Sequence, residues 1–102
     1  MIKNFLPKRG DQIGFIVTYP MDVDFSSVEL GVKDDYTDED FIIYINLGHG
    51  VTKVDDRSYK FIIPTHNLDL RTYVYDLRTI YQGVAKTPLS GKIIVKDTVF
   101  NG

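Results

Sequence analysis

Hydrophobic and polar positions alternate with a period of two along most of the chain, the repeat of strands with one face buried and one face solvated. "IGFIVTY" (13–19) places Ile13, Phe15, Val17 and Tyr19 on one face, and "VELGVK" (28–33) places Val28, Leu30 and Val32 opposite Glu29 and Lys33. "FIIYINL" (41–47) is β-branched and aromatic on both faces, which predicts a strand covered on both sides, with Phe41, Ile43 and Ile45 inward and Ile42 and Tyr44 outward. "VTKV" (51–54), "YKFII" (59–63), "TYVYDLRTIY" (72–81) and "GKIIVK" (91–96) complete the set. Between these runs fall "YPMD", "DDYTDED", the reversal "GHG" (48–50) and the hairpin turn "QG" (82–83). Proline cannot donate to a ladder, so Pro64 closes the fifth strand and Pro88 predicts a bulge that splits the last one into a half near 84–87 and a half from 91. No window carries a capped helical period. About seven short strands with turn signals between them predict an antiparallel β-sandwich.

The sixth run refines that expectation. Its start, "DLRTYVYDLR" (69–78), sets Asp69 four residues before Tyr73, the spacing of the tyrosine corner at the entry to the sixth strand of immunoglobulin-type folds. A corner tyrosine fills the core with its ring while its hydroxyl bonds upstream backbone, which avoids a buried unsatisfied group worth about 1–3 kcal/mol. With Tyr73, Tyr75 and Leu77 inward, Val74, Asp76 and Arg78 share the outer face. Asp76 and Arg78 then read either as a partner contact or as a surface ion pair worth less than about 1 kcal/mol.

Composition limits the chemistry. A chain of 102 residues, 43% hydrophobic and 25% charged, is the size and make-up of one globular domain over residues 1–102. Zero cysteines exclude disulfides, thiolate metal sites and thiol catalysis. The net charge of −2 gives no basic field for nucleic acid. No apolar run is long enough to span a bilayer, and "MIKNFLPKRGDQ" has no apolar core of a secretion signal, so no membrane partner is expected. The polar tail "DTVFNG" (97–102) either frays or leads toward a partner.

Candidate chemistry is sparse. Asp34, Asp35, Asp38, Glu39 and Asp40 crowd into seven residues, enough oxygen for Ca²⁺ but without the spacing of a helix–loop–helix calcium site, so a solvated acidic loop is the expectation. His49 lies between two glycines and His66 follows Pro64; neither has convergent partners in sequence. No catalytic residue, cofactor or metal ligand is therefore expected. The 13 Phe and Tyr exceed what the core of a small domain needs, and exposed tyrosines are common where proteins meet proteins or sugars. The outward pair Ile42 and Tyr44 predicts a face covered by another subunit.

The stretch "YVYDLRTIYQGVAKTPLSGKIIV" (73–95) resembles the end of immunoglobulin-like domains in the tail and baseplate proteins of bacteriophages and prophages. "KRGDQIGFIVT" (8–18) is similar to the opening of the N-terminal domain of baseplate upper proteins. The acidic "DDYTDEDFIIYINL" matches no signature of that family. The resemblance implies an immunoglobulin-like sandwich and a non-catalytic virion component, encoded by a phage or prophage of a Gram-positive host. It would be built into a tail or baseplate from the host cytoplasm, with other tail proteins and further copies of itself as partners. The alternative reading is a carbohydrate- or cell-surface-binding module in which Tyr36, Tyr44 or Tyr81 stacks on sugar rings. A small hydrolase using Asp38 and Asp40 has only acid content behind it.

Overall fold

The computed structural model describes residues 1–99, so that residues 100–102 of the polar tail lie outside the described residues. The strands are β1 (Ile13–Thr18), β2 (Ser27–Lys33), β3 (Ile43–Leu47), β4 (Gly50–Lys53), β5 (Ser58–Ile63), β6 (Thr72–Tyr81) and β7 (Val84–Ile94), with one 3₁₀ turn at Thr65–Asn67. No α-helix occurs among the described residues, and the all-β class holds.

The expected pair of facing sheets is replaced by one mixed sheet, order β1-β5-β4-β3-β2-β6-β7, curled into a half-barrel. The join is at "GHG", where the expected reversal does not occur. With Gly48 at φ 90° and Gly50 at φ 96°, the chain makes a tight loop and resumes in the same direction. β3 and β4 are consequently parallel, through Asn46↔Gly50 and Leu47↔Val51 alone, whereas all other strand pairs are antiparallel. This short seam links a three-stranded half, β1-β5-β4, to a four-stranded half, β3-β2-β6-β7.

Period two decides the core. Val28, Leu30 and Val32 of β2, Tyr59, Phe61 and Ile63 of β5, and Tyr73, Tyr75 and Leu77 of β6 are all buried in one cluster with Ile13, Ile45, Val51 and Ile93. β6 and β7 form a hairpin over Gln82-Gly83, both at positive φ. Near Pro88 the register slips between Leu77↔Leu89 and Thr79↔Lys86, a bulge within a strand that otherwise runs unbroken from Val84 to Ile94. Phe41 departs from its expected inward position: β3 starts only at Ile43, and Phe41, 52% exposed, lies on the outer face above Gly31. An ideal Cβ on Gly31 would sit 2.1 Å from the Phe41 ring, so the bare glycine makes the outer face more attractive for that ring than the crowded interior.

The two sheet edges are tied by the N-terminal arm. Residues 1–8 run parallel to the outer edge of β7, with bridges Ile2↔Ser90, Phe5↔Ile93 and Lys8↔Lys96, before the chain crosses to β1 at the opposite edge. Lys3 N–H donates to Ser90 C=O at 2.9 Å, Ile94 N–H to Phe5 C=O at 2.9 Å, and Lys92 N–H to Asn4 Oδ1 at 3.0 Å. Phe5 turns inward, its ring centroid 5.1 Å from Phe15 and 5.5 Å from Tyr75, while Phe15 stacks on Phe61 at 4.9 Å. Tyr75 Oη donates to Lys3 C=O at 2.6 Å. Contact this close between arm and sheet requires Gly91, where a Cβ would meet Lys3 O at 2.1 Å.

Two outcomes follow from this closure. Gly91→Val separates the arm from β7 and costs about 1–3 kcal/mol of overpacking and lost pairing. Thermal denaturation will read this as a Tm lower by at least about 4 °C, with faster amide exchange at Lys3 and Phe5. Burial pushes the Tyr75 phenol up to about 12, with smaller contributions from Tyr36 and Asp76, against about 10 in an unfolded chain. The folded state therefore holds this proton to higher pH than the unfolded chain. Its stabilisation is complete below about pH 10 and is lost as pH rises through about 12. Urea denaturation across that window will show a shallower alkaline loss for Tyr75→Phe than for the parent protein.

Candidate interaction groove on the outer sheet face

The outward residues of the four-stranded half form a groove of about 580 Å³. β2 contributes Glu29, Gly31 and Lys33, β6 contributes Val74, Asp76 and Arg78, β3 contributes Tyr44, and β7 contributes Thr87. Tyr36 and Phe41 reach in from the loop between β2 and β3.

That loop is shaped by its own acids. Asp35 Oδ1 accepts from Thr37 N–H at 3.0 Å and Thr37 Oγ1 at 3.1 Å, which holds its carboxyl below the usual range. Asp38 Oδ2 accepts from Asp35 N–H at 3.1 Å, Lys33 Nζ donates to Asp38 C=O at 2.7 Å, and Asp34 pairs with Arg71 at 3.0 Å. Three of the five crowded carboxylates thus build the turn or its anchor. Among the described residues no group of three or more His, Asp or Glu side chains converges as a metal site would require. His49 is exposed at the "GHG" loop and His66 on the 3₁₀ turn.

The folded turn delivers Phe41 to Gly31, where its ring lies 5.2 Å from Tyr44 and beneath the Lys33 ammonium at 4.9 Å. Phe41 is 52% exposed and Tyr44 45%, so the ring pair faces solvent. Tyr44 Oη donates to Glu29, whose carboxylate also binds Arg78 directly across the β2–β6 pair. That carboxylate is the main reason the Tyr44 phenol titrates above its ordinary range.

The residues singled out from the sequence are thereby placed. Tyr44, Asp76 and Arg78 meet in the groove; Ile42 is exposed beside it but does not line it. Arg78 does not pair with Asp76. Neighbours two apart on one strand lie about 7 Å apart, whereas directly opposed cross-strand side chains start about 5 Å apart, so Glu29 captures the guanidinium. Asp76 faces Gly31 on one side and Ser90 on the other, and has no hydrogen-bond or ion-pair partner among the described residues. Burial first, and the Asp76 carboxylate second, raise the Tyr36 phenol. Tyr73 occupies the corner position: Asp69 N–H donates to its Oη at 3.1 Å. Tyr81 lies apart from the groove, edge-on to Phe25. Glu29, Lys33 and Phe41 were missed, because their roles depend on strand pairing and on the bare Gly31.

No family model matches the chain, and no match emerges among curated proteins.

Replacing Glu29 by Gln removes the charge that both Tyr44 and Arg78 address. Ultraviolet or NMR titration of Glu29→Gln will show the Tyr44 phenol ionising at lower pH than in the parent protein. Global stability will fall by about 1 kcal/mol, because the Arg78 partner is half-exposed although Glu29 is mostly covered.

Proposed function

We propose that the protein is a non-catalytic structural component of a phage tail or baseplate that assembles, with further copies of itself and with neighbouring tail proteins, through the outer face of β2, β3 and β6. The observation that carries this reading is the group of exposed Phe41, Tyr44 and Tyr36 lining one groove, with Ile42 exposed beside it. Rings and aliphatic groups of that size, rimmed by charge, are characteristic of surfaces that dock other proteins. The immunoglobulin-like relationship belongs to the same proposal. Cut at the two-pair β3–β4 seam, the order β1-β5-β4 corresponds to strands B, E and D of that fold and β3-β2-β6-β7 to C′, C, F and G. The N-terminal arm takes the place of strand A along G, and Tyr73 stands at the start of F. Repetition around a symmetric particle turns individually weak contacts of such a face into firm assembly. On this reading the protein resides in the virion and passes through the host cytoplasm during assembly.

A second reading, a carbohydrate- or cell-surface-binding module, is favoured by one observation: the Phe41–Tyr44 ring pair stands beside Glu29, Asp76 and Arg78 in one groove. The two readings separate in solution and in the particle. Under the assembly proposal, light scattering will show concentration-dependent self-association that Ile42→Asp and Phe41→Asp abolish while far-UV circular dichroism stays unchanged. Mass spectrometry will find the chain in purified phage particles. A monomer at high concentration that is absent from particles, and that binds glycans in isolation, would establish the second reading instead.

A further inference from the structure

Resting on the assembly reading, the groove itself specifies part of the partner's chemistry: we infer that it receives an arginine side chain of the docking protein, with the guanidinium on the Asp76 carboxylate and its plane against the Phe41 and Tyr36 rings.

The argument begins with the charges that cross-strand pairing leaves over. Glu29 is neutralised by Arg78, and the Lys33 ammonium is held by the Asp38 carbonyl. Asp76 is the one charged group lining the groove with no such partner among the described residues. Its neighbour in register on β2 is Gly31, which has no side chain to bring to it, and its neighbour on β7 is Ser90. The Phe41 ring lies over Gly31, so on that side the carboxylate is bordered by an aromatic ring and by no counter-charge.

Those rings favour a cation. Their faces carry negative potential, and Lys33 already demonstrates the preference within this chain, 4.9 Å above Phe41. The charged groups lining the groove are Glu29, Lys33, Asp76 and Arg78, and with Lys33 and Arg78 engaged the charge left over is the Asp76 carboxylate. An anionic group would meet the Asp76 carboxylate unfavourably. A neutral sugar would leave Asp76 uncompensated in charge. Between the two basic side chains, arginine fits better than lysine. Its planar fork accommodates a carboxylate and an aromatic face together, and it gives up its hydration more easily than an ammonium.

The test uses the ¹⁵N-labelled full chain at low ionic strength, with acetyl-Gly-Arg-Gly-amide, acetyl-Gly-Glu-Gly-amide and a methyl glycoside as probes. The arginine peptide will shift the amides of Gly31, Val74 and Asp76 with millimolar affinity, and added salt will weaken the response. Asp76→Asn and Phe41→Leu will each reduce that affinity roughly fivefold or more, with unchanged circular dichroism. An equal response to the glutamate peptide, no response to the arginine peptide, or an Asp76→Asn protein that binds as tightly as its parent would overturn the inference. A response to the glycoside alone would overturn it in favour of sugar recognition. Self-association by light scattering reads the assembly proposal separately. A self-associating protein that ignores the arginine peptide sinks only this inference, whereas a monomeric parent protein sinks the reading beneath it.

Discussion

Closure of the curled sheet depends on one contact, the laying of the N-terminal arm against β7, made possible by the missing side chain of Gly91 and pinned by the Tyr75 hydroxyl on the Lys3 carbonyl. A half-barrel has two edges, and unpaired strand edges invite association with other chains. The arm pairs with the β7 edge and then leads directly into β1 at the other. Phe5 carries the same closure inward, since its ring joins Tyr75 of the four-stranded half to Phe15 of the three-stranded half. Hydrogen bonding and apolar packing thus act at the same place, and each makes the other more favourable by fixing the arm's register.

The use of Tyr75 recurs. Tyr59 Oη accepts from Phe25 N–H at 3.2 Å and so holds the segment between β1 and β2; Tyr73 Oη receives Asp69 N–H at the entry to β6. Each ring fills the core, and each hydroxyl reaches backbone outside the seven strands. Among the described residues no buried side-chain nitrogen or oxygen is left without a partner. A domain without cysteine thereby gains three internal ties between strand and loop, each worth on the order of 1 kcal/mol.

Legibility in the sequence follows the range of the forces involved. Strand positions and the inward faces of β2, β5 and β6 are local consequences of period two, and the bulge at Pro88 and the turn at Gln82-Gly83 are local consequences of backbone chemistry. Tyr73 was readable for the same reason, its backbone partner Asp69 being four residues away. Distances across the chain were not readable. "MIKNFLPK" contains an inward Phe5 but no alternation long enough to declare a strand, because its partner strand lies some ninety residues on. The direction kept at "GHG" depends on paired glycine dihedrals, which sequence permits but does not choose. Asp76 and Arg78 could be placed on one face, yet their partners were decided by β2, where Glu29 and Gly31 stand opposite them.

That last dependence decides which charge on the outer face is left unpaired. On any sheet the charged residues of one strand are compensated by those directly across from it, and what remains uncompensated is set by the register. Here one step of β2 offers Arg78 a carboxylate, and the next offers Asp76 only a glycine. The same glycine admits Phe41 to the surface, so a single absent side chain both leaves the anion open and supplies the ring beside it. A side chain at Gly31 would displace the Phe41 ring from beside Asp76. The unpaired Asp76 carboxylate and the Phe41 ring beside it are therefore not two separate properties of the surface but two results of one position in β2.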